Sequence, residues 1–297
     1  MALASLIFLL IIAGALVTSN NAGLAVPDWP TSFGSLYKIP PMVGGVKYEH
    51  GHRMLAEFVG LLTIALCIWT LRVERRSWMK KLGLAMIGVI LAQGVLGGIT
   101  VLYFLPWYIS SAHAGLGQTF FSMAVLMAMF TGREWLHGRS AAVADEATPS
   151  TRTLTLLSIL AVYLQLFFGA GFRHSGIGIL PHLVNAIFTS AVLFWTAVRI
   201  LVVHGRSRAL RVPATWLLGL LLTQLGLGFA AYLTRVIWGK DAVQPLPSMV
   251  YTTVAHVAVG ALILATTFVL AVQAHRSGHQ LSVPEPESIS ARKAVTV

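Results

Sequence analysis

The sequence predicts an all-α polytopic membrane protein, with eight transmembrane helices as two parallel four-helix repeats. Charged residues make up 10% of its 297 residues, against about 25% in a soluble protein. The hydrophobic fraction is 56% and the mean hydropathy is +0.77. The apolar runs are continuous and reach the roughly 20 residues a span requires, unlike the short alternating strands of a β-barrel. So few charges cannot keep a soluble surface in solution. A soluble enzyme, a disordered chain and a fibrous repeat are therefore excluded.

Charges mark the span ends. The first run covers residues 3–20, and the second covers 50–71, where Arg53 and Glu57 are the only charges. Residues 82–132 carry no charge. That stretch is long enough for two spans, and it breaks at Tyr103-Phe104-Leu105-Pro106-Trp107-Tyr108, a proline inside an interfacial aromatic cluster. Residues 153–172, 180–198, 213–234 and 249–273 supply the other four spans.

The basic residues set the orientation. Arg72, Arg75, Arg76, Lys80 and Lys81 follow span two. Arg133, Arg139 and Arg152 follow span four. Arg199, Arg206, Arg208 and Arg211 follow span six, and Arg276, Arg292 and Lys293 follow span eight. The opposite side holds Lys38, Lys47, Arg53, Arg173, Arg235 and Lys240. The richer side is cytoplasmic, so both termini are expected inside a cell membrane, with the lipid bilayer as the main partner. The net charge of +11 is confined to short loops, which argues against nucleic acid. Met1-Ala2-Leu3 lacks the charged start of a signal peptide. The single cysteine, Cys67, lies within a span and forms no intrachain disulfide.

The halves repeat. Gln93-Gly94-Val95-Leu96-Gly97-Gly98 matches Gln224-Leu225-Gly226-Leu227-Gly228-Phe229 at an offset of 131 residues. His52 and His182 match at 130, His113 and His256 at 143, and Gly14-Ala15 and Gly169-Ala170 at 155. Four spans per repeat is an even number, so the repeats are parallel rather than inverted. The expected divisions are an N-terminal half at 1–140, a cytoplasmic linker at 141–151, a C-terminal half at 152–275 and a disordered cytoplasmic tail at 276–297. Gly94 and Gly98 have the spacing of close helix packing.

Even-numbered spans run from outside to inside, so His52, His113, His182 and His256 all lie toward the outer side. His256, the deepest, is about 10 Å below the start of its span. Ionisable groups in spans are costly and mark function. Two imidazoles on facing helices can hold one haem iron, and two pairs make two sites. Hydrogen-bonded core histidines or a zinc site are the alternatives, though no cysteine and few acids stand near. His50, His137, His174, His204, His275 and His279 sit at helix ends, in loops or in the tail.

Only the first half carries an acid at this level. Glu49 and His52 in Tyr48-Glu49-His50-Gly51-His52-Arg53 share one helical face; the position matching Glu49 in the second half is Ile179. Glu49 could move protons or stabilise a developing cation, or only complement the helix dipole. Arg53 could bind a haem propionate or pair with Glu57. The long outer loop contains Pro27-Asp28-Trp29-Pro30, the composition of either an ordered lid or a membrane-anchoring loop.

Glu49-x-x-His52-Arg53 after Pro27-Asp28-Trp29-Pro30, the Ser111-Ala112-His113 and Val254-Ala255-His256 helix starts and the four-plus-four repeat together resemble the haem A synthase family over about residues 5–275. The resemblance implies oxidation of the C8 methyl of haem O to a formyl group, giving haem A for cytochrome oxidase biogenesis. It implies the substrate haem near His52, His113 and Arg53, a catalytic Glu49, and a haem b held by His182 and His256. It also implies an electron donor, a quinol or a ferredoxin-like protein, and haem O synthase as a candidate partner. The chain departs from many members in having no cysteine pair in the first outer loop, and Thr18 in place of an arginine at the end of span one. Two other functions compete: a diheme b-type quinol-oxidising cytochrome, which leaves Glu49 without a role, and a transporter, which would need polar groups reaching the inner face.

Overall fold

The computed structural model describes residues 1–137, 145 and 148–279. Most of the expected linker and nearly all of the expected tail lie outside those residues. The long helices are α1 (Ala2–Ser19), α2 (Val46–Val73), α3 (Ser77–Leu102), α4 (Trp107–Phe130), α6 (Thr151–Arg173), α7 (Leu180–Val203), α8 (Arg208–Tyr232) and α9 (Pro247–His279). A short α5 (Arg133–His137) follows α4, and a π-helical segment, Leu233–Trp238, extends α8. The eight long helices are each apolar enough to cross a membrane. No strand occurs among the described residues, only an isolated bridge between Ser32 and Ser35. The chain is an integral membrane protein.

Most helices start or end beyond the apolar runs that predict them. Lys and Arg at the ends keep their charged heads in water while their stems extend the helix, as at Lys47 in α2 and Arg208 in α8. Pro106 stands just before α4, and Pro181 lies in the first turn of α7. Neither site needs the amide hydrogen that proline lacks. Ser150 caps α6 by accepting from the Thr153 amide.

The helix neighbours form two closed groups. In the first, α1 packs on α2, α2 on α3, α3 on α4 and α4 on α1. In the second, α6 packs on α7, α7 on α8, α8 on α9 and α9 on α6. The groups meet through α1 and α4 on one side and α6 and α9 on the other. Arg173, at the end of α6, crosses this seam. Its Nη2 donates to the Ala15 carbonyl and to the Ser19 hydroxyl of α1, each at 2.8 Å.

Large side chains fill the half of each group nearest the basic connections. Ile7, Val59, Met86, Phe120 and Phe121 pack together in the first. Leu193, Ile200, Leu210, Leu217 and Leu270 do so in the second. At that end Arg76 forks onto Glu74 and reaches the Phe130 carbonyl, joining the α2–α3 connection to α4. Asp145 accepts from Arg199, and the Thr151 hydroxyl meets His204 Nε2 at 2.9 Å.

The Gly94/Gly98 spacing does not serve helix–helix packing. A Cβ at Gly94 would meet nothing within 4 Å, whereas one at Gly98 would lie 2.5 Å from the Trp29 ring. Gly98 is small because the outer loop docks on it.

Candidate functional site

The four histidines each sit near the start of a helix, at the end opposite the basic connections: His52 on α2, His113 on α4, His182 on α7 and His256 on α9. Each imidazole rests on a glycine of the long helix before it. A Cβ built on Gly14 would lie 3.0 Å from Cε1 of His52. The matching distances are 3.3 Å for Gly97 and His113, 2.8 Å for Gly169 and His182, and 3.1 Å for Gly228 and His256. These glycines stand in the segments that repeat in the sequence, and the absent side chain makes room for the ring.

Glutamines stand one turn earlier on three of these helices. Gln93 Nε2 donates to the His113 carbonyl at 3.0 Å. Gln165 Nε2 donates to the His182 carbonyl at 3.1 Å and also lies 3.1 Å from its Nδ1. Gln224 Nε2 lies 3.3 Å from His256 Nε2. Asn185 donates to Gln165 Oε1 at 2.9 Å. The sequence reading matched Gln93 with Gln224 but missed Gln165. The Gln-x-x-x-Gly spacing shared by all three was the available signal.

The rings of His182 and His256 stand 6.1 Å apart, centre to centre, at 78°. Imidazole nitrogen binds a metal at about 2 Å, so two imidazoles with a metal between them stand roughly 6 Å apart. The pair fits a bis-imidazole haem. His182 Nδ1 lies 3.2 Å from the Gln165 carbonyl, and the rings of His52, His113 and His256 face the carbonyls of Leu10, Gln93 and Gln224 in the same way. Among the described residues no cluster of three or more His, Cys, Asp or Glu side chains converges. The donors come as imidazole pairs, which suit haem better than zinc.

Glu49 is 4% exposed. Its Oε2 accepts from the Val26 amide at 2.8 Å, and its Oε1 meets Arg53 Nη2 at 2.6 Å. The other terminal hydrogens of Arg53 go to the carbonyls of Asp28 (2.7 Å), Thr31 (3.0 Å) and Val26 (3.1 Å). Arg53 therefore pairs with Glu49, four residues before it, and not with Glu57. The loop carbonyls gather on the Glu49 side of α2 and decide the choice. The Asp28 side chain accepts from the Thr31 hydroxyl and from the Phe33 and Gly34 amides. Burial would raise the Asp28 carboxyl, but these hydrogen bonds outweigh it and hold it at about 2. The loop is an ordered structure over the first histidine pair, tied down at Glu49, Arg53 and Gly98.

Two histidines outside the predicted set also reach this end. His50 Nδ1 meets the Ser32 hydroxyl at 3.0 Å. His174 follows α6, and burial together with the nearby Arg173 and His113 lowers it to about 4. Nη1 of Arg173 is buried and without a partner among the described residues.

The sequence model of the cytochrome oxidase assembly protein family matches residues 46–180, a stretch that carries Glu49, His52, Arg53 and His113. Several curated relatives, three of which follow, bear the name haem A synthase. The one from Symbiobacterium thermophilum is 26% identical over 269 residues, 78% of this chain and 86% of the relative. That from Shewanella oneidensis is 28% identical over 178 residues, 54% of this chain and 52% of the relative. That from Shouchella clausii is 31% identical over 123 residues, 41% and 40% of the two chains. The latter two matches thus span about half, or less, of those relatives. The family match covers somewhat less than half of this chain, and over most of its length the chain is similar to a protein named haem A synthase.

Proposed function

We propose that this protein oxidises the C8 methyl of haem O to the formyl group of haem A. One observation carries the reading: of two otherwise matching histidine pairs, only that of His52 and His113 has a buried acid, Glu49, within one helical turn. Its counterpart by sequence is Ile179. Matched pairs with one acid suit two haems with different tasks, one that reacts and one that passes electrons.

In this reading His52 and His113 hold the substrate haem. Glu49 presents a carboxylate beside it, held by the Val26 amide and by Arg53. Preorganised charge of this kind favours positive charge developing at the methyl carbon, because nothing has to reorient as the charge appears. With its terminal hydrogens committed, Arg53 serves the substrate by fixing Glu49 and closing the loop. The unpartnered Nη1 of Arg173 is then the cationic donor open to a propionate. Between His182 and His256, a haem b would supply electron transfer when bound. A quinol or a ferredoxin-like protein is the electron donor, and haem O synthase is the source of substrate. The basic-rich side is cytoplasmic and the haem sites face outward. The two closed helix groups support the division into halves at 1–140 and 152–275.

The test is pigment extraction and mass spectrometry of the purified protein after co-expression with a haem O source. Wild-type protein is expected to contain haem B together with haem O, haem A or an oxidised intermediate. Glu49→Gln is expected to keep both pigments and to lose haem A by a factor of about 100 or more. Haem A still accumulating in this variant would remove Glu49 from the chemistry. Haem B alone in the wild type would identify an electron-transfer cytochrome.

A further inference from the structure

The four histidine sites share one plan with one defect. Counting four residues back from each contact glycine gives Gln93 from Gly97, Gln165 from Gly169 and Gln224 from Gly228. From Gly14 it gives Leu10. The three amides reach the histidine of the next long helix, through its carbonyl (His113), its ring (His256) or both (His182). The backbone carbonyl of Leu10 faces the His52 ring, as those of the three glutamines face theirs, but its side chain has no amide to add and packs in the apolar cluster of the first half.

The opposing helix is shaped for the same contact. One turn after each histidine stand Ala56, Gly117, Ala186 and Gly260. A Cβ at Gly117 would come within 3.1 Å of Gln93 Nε2, and one at Gly260 within 3.4 Å of Gln224 Nε2. These positions admit the amide. The first site keeps a small residue, Ala56, and lacks only the amide.

We infer that Gln93, Gln165 and Gln224 are positioning residues for the haem-ligand histidines, and that Leu10 leaves His52 the most weakly fixed of the four so that the substrate haem can exchange. This rests on the site reading above. A hydrogen bond in a low-dielectric interior fixes a side chain that would otherwise lose rotamer freedom on binding. The pair at His182 and His256 has two such anchors, and Gln165 is itself braced by Asn185. At His52 and His113 neither ring has one: Gln93 anchors the His113 carbonyl, and His52 has no amide at all. A resident haem is best held by ligands fixed in advance. A substrate that must leave as product needs one ligand that yields, and the ligand that yields is the one beside Glu49.

The experiment follows haem loss from the full-length protein to excess apomyoglobin, with the pigments identified by extraction. In the wild type, haem O and haem A are expected to leave faster than haem b. Leu10→Gln should slow their loss about three- to tenfold, the worth of one hydrogen bond, with haem b unchanged. Gln165→Leu should speed haem b loss by a similar factor and move its low-spin paramagnetic resonance signals. Gln93→Leu should speed loss of haem O and haem A only. An intact haem b spectrum is the folding control for Leu10→Gln and Gln93→Leu. If both variants leave the loss of haem O and haem A unchanged in folded protein, the inference is overturned and the functional reading stands. If no preparation ever contains haem O or haem A, the functional reading falls and the inference with it.

Discussion

Glu49 and Arg53 stand one turn apart on α2 and meet at 2.6 Å, with side chains only 5% and 15% exposed. The pair joins a carboxylate at the site to the loop above it, because the same guanidinium binds the carbonyls of Val26, Asp28 and Thr31. In a loop without cysteine this network takes the place of a covalent tie. Removing one partner of a buried ion pair costs roughly 3–5 kcal/mol, since the other charge is left uncompensated. Arg53→Met is therefore expected to open the loop: chymotrypsin should cut within residues 29–37 of the variant at least ten times faster than in the wild type. A haem b spectrum unchanged in the same sample would place the damage in the first half alone. Equal cleavage of the two proteins would show that Arg53 does not hold the loop.

Asp28 sets the pH range of that loop. Its folded value of about 2 lies below the ordinary 3.8. A depressed carboxyl contributes stability that is complete above its unfolded value and is lost as pH falls through the folded one. The loop should be equally protected at pH 8 and pH 5, and should open between about pH 4 and pH 2. Asp28→Ala should behave at pH 7 as the wild type does in acid. An acid protease acting on the wild type between pH 4 and pH 2, and chymotrypsin acting on the variant at pH 7, measure the two halves of the prediction. A loop in Asp28→Ala that resists cleavage at pH 7 would contradict it.

Much of this architecture was legible in the sequence, because a bilayer imposes a length and a polarity that any span must meet. The eight spans follow from that constraint, and the break between Leu102 and Trp107 falls at Pro106 as the aromatic cluster predicts. The four histidines were legible because a titratable group in a span stands out. Other features depend on partners distant in the chain. Arg53 had a candidate partner four residues after it as well as the one four residues before it. Only the folded loop, with three carbonyls on one side, separates Glu49 from Glu57. Gly98 reads as a helix-packing glycine until Trp29 is seen lying on it. Gln165 passed unnoticed because it stands in a span with little other sequence match. The short α5 and the π-helical end of α8 have no apolar period of their own.

Trp29 and Gly98 give a steric test of the loop. A Cβ at Gly98 would stand 2.5 Å from the indole, closer than any real contact. Overpacking of this kind costs typically about 1–3 kcal/mol, and here the indole can escape by lifting the loop. Gly98→Ala is expected to expose the loop to chymotrypsin and to cut haem A formation severalfold. Trp29→Ala in the same background removes the clash and should restore neither, because the loop then has no anchor on α3. Gly98→Ala with normal protection and normal product would show that the indole is not seated there.

Gly169 offers the corresponding test of the second pair. A Cβ on it would lie 2.8 Å from Cε1 and 3.0 Å from Nδ1 of His182, and α6 is held in place by Arg173 at the seam. The ring rather than the helix has to give way. Moving it changes the 6.1 Å spacing to His256, so Gly169→Ala is expected to shift or abolish the haem b absorption and to lower its retention through purification. Gly226 on α8 is the control. It lies two residues from the contact glycine Gly228, and a Cβ there would meet nothing within 4 Å. Gly226→Ala adds the same methyl to a helix of the same half and should leave the spectrum as it is. Were the two variants to behave alike, the glycine beneath His182 would be serving the helix and not the imidazole.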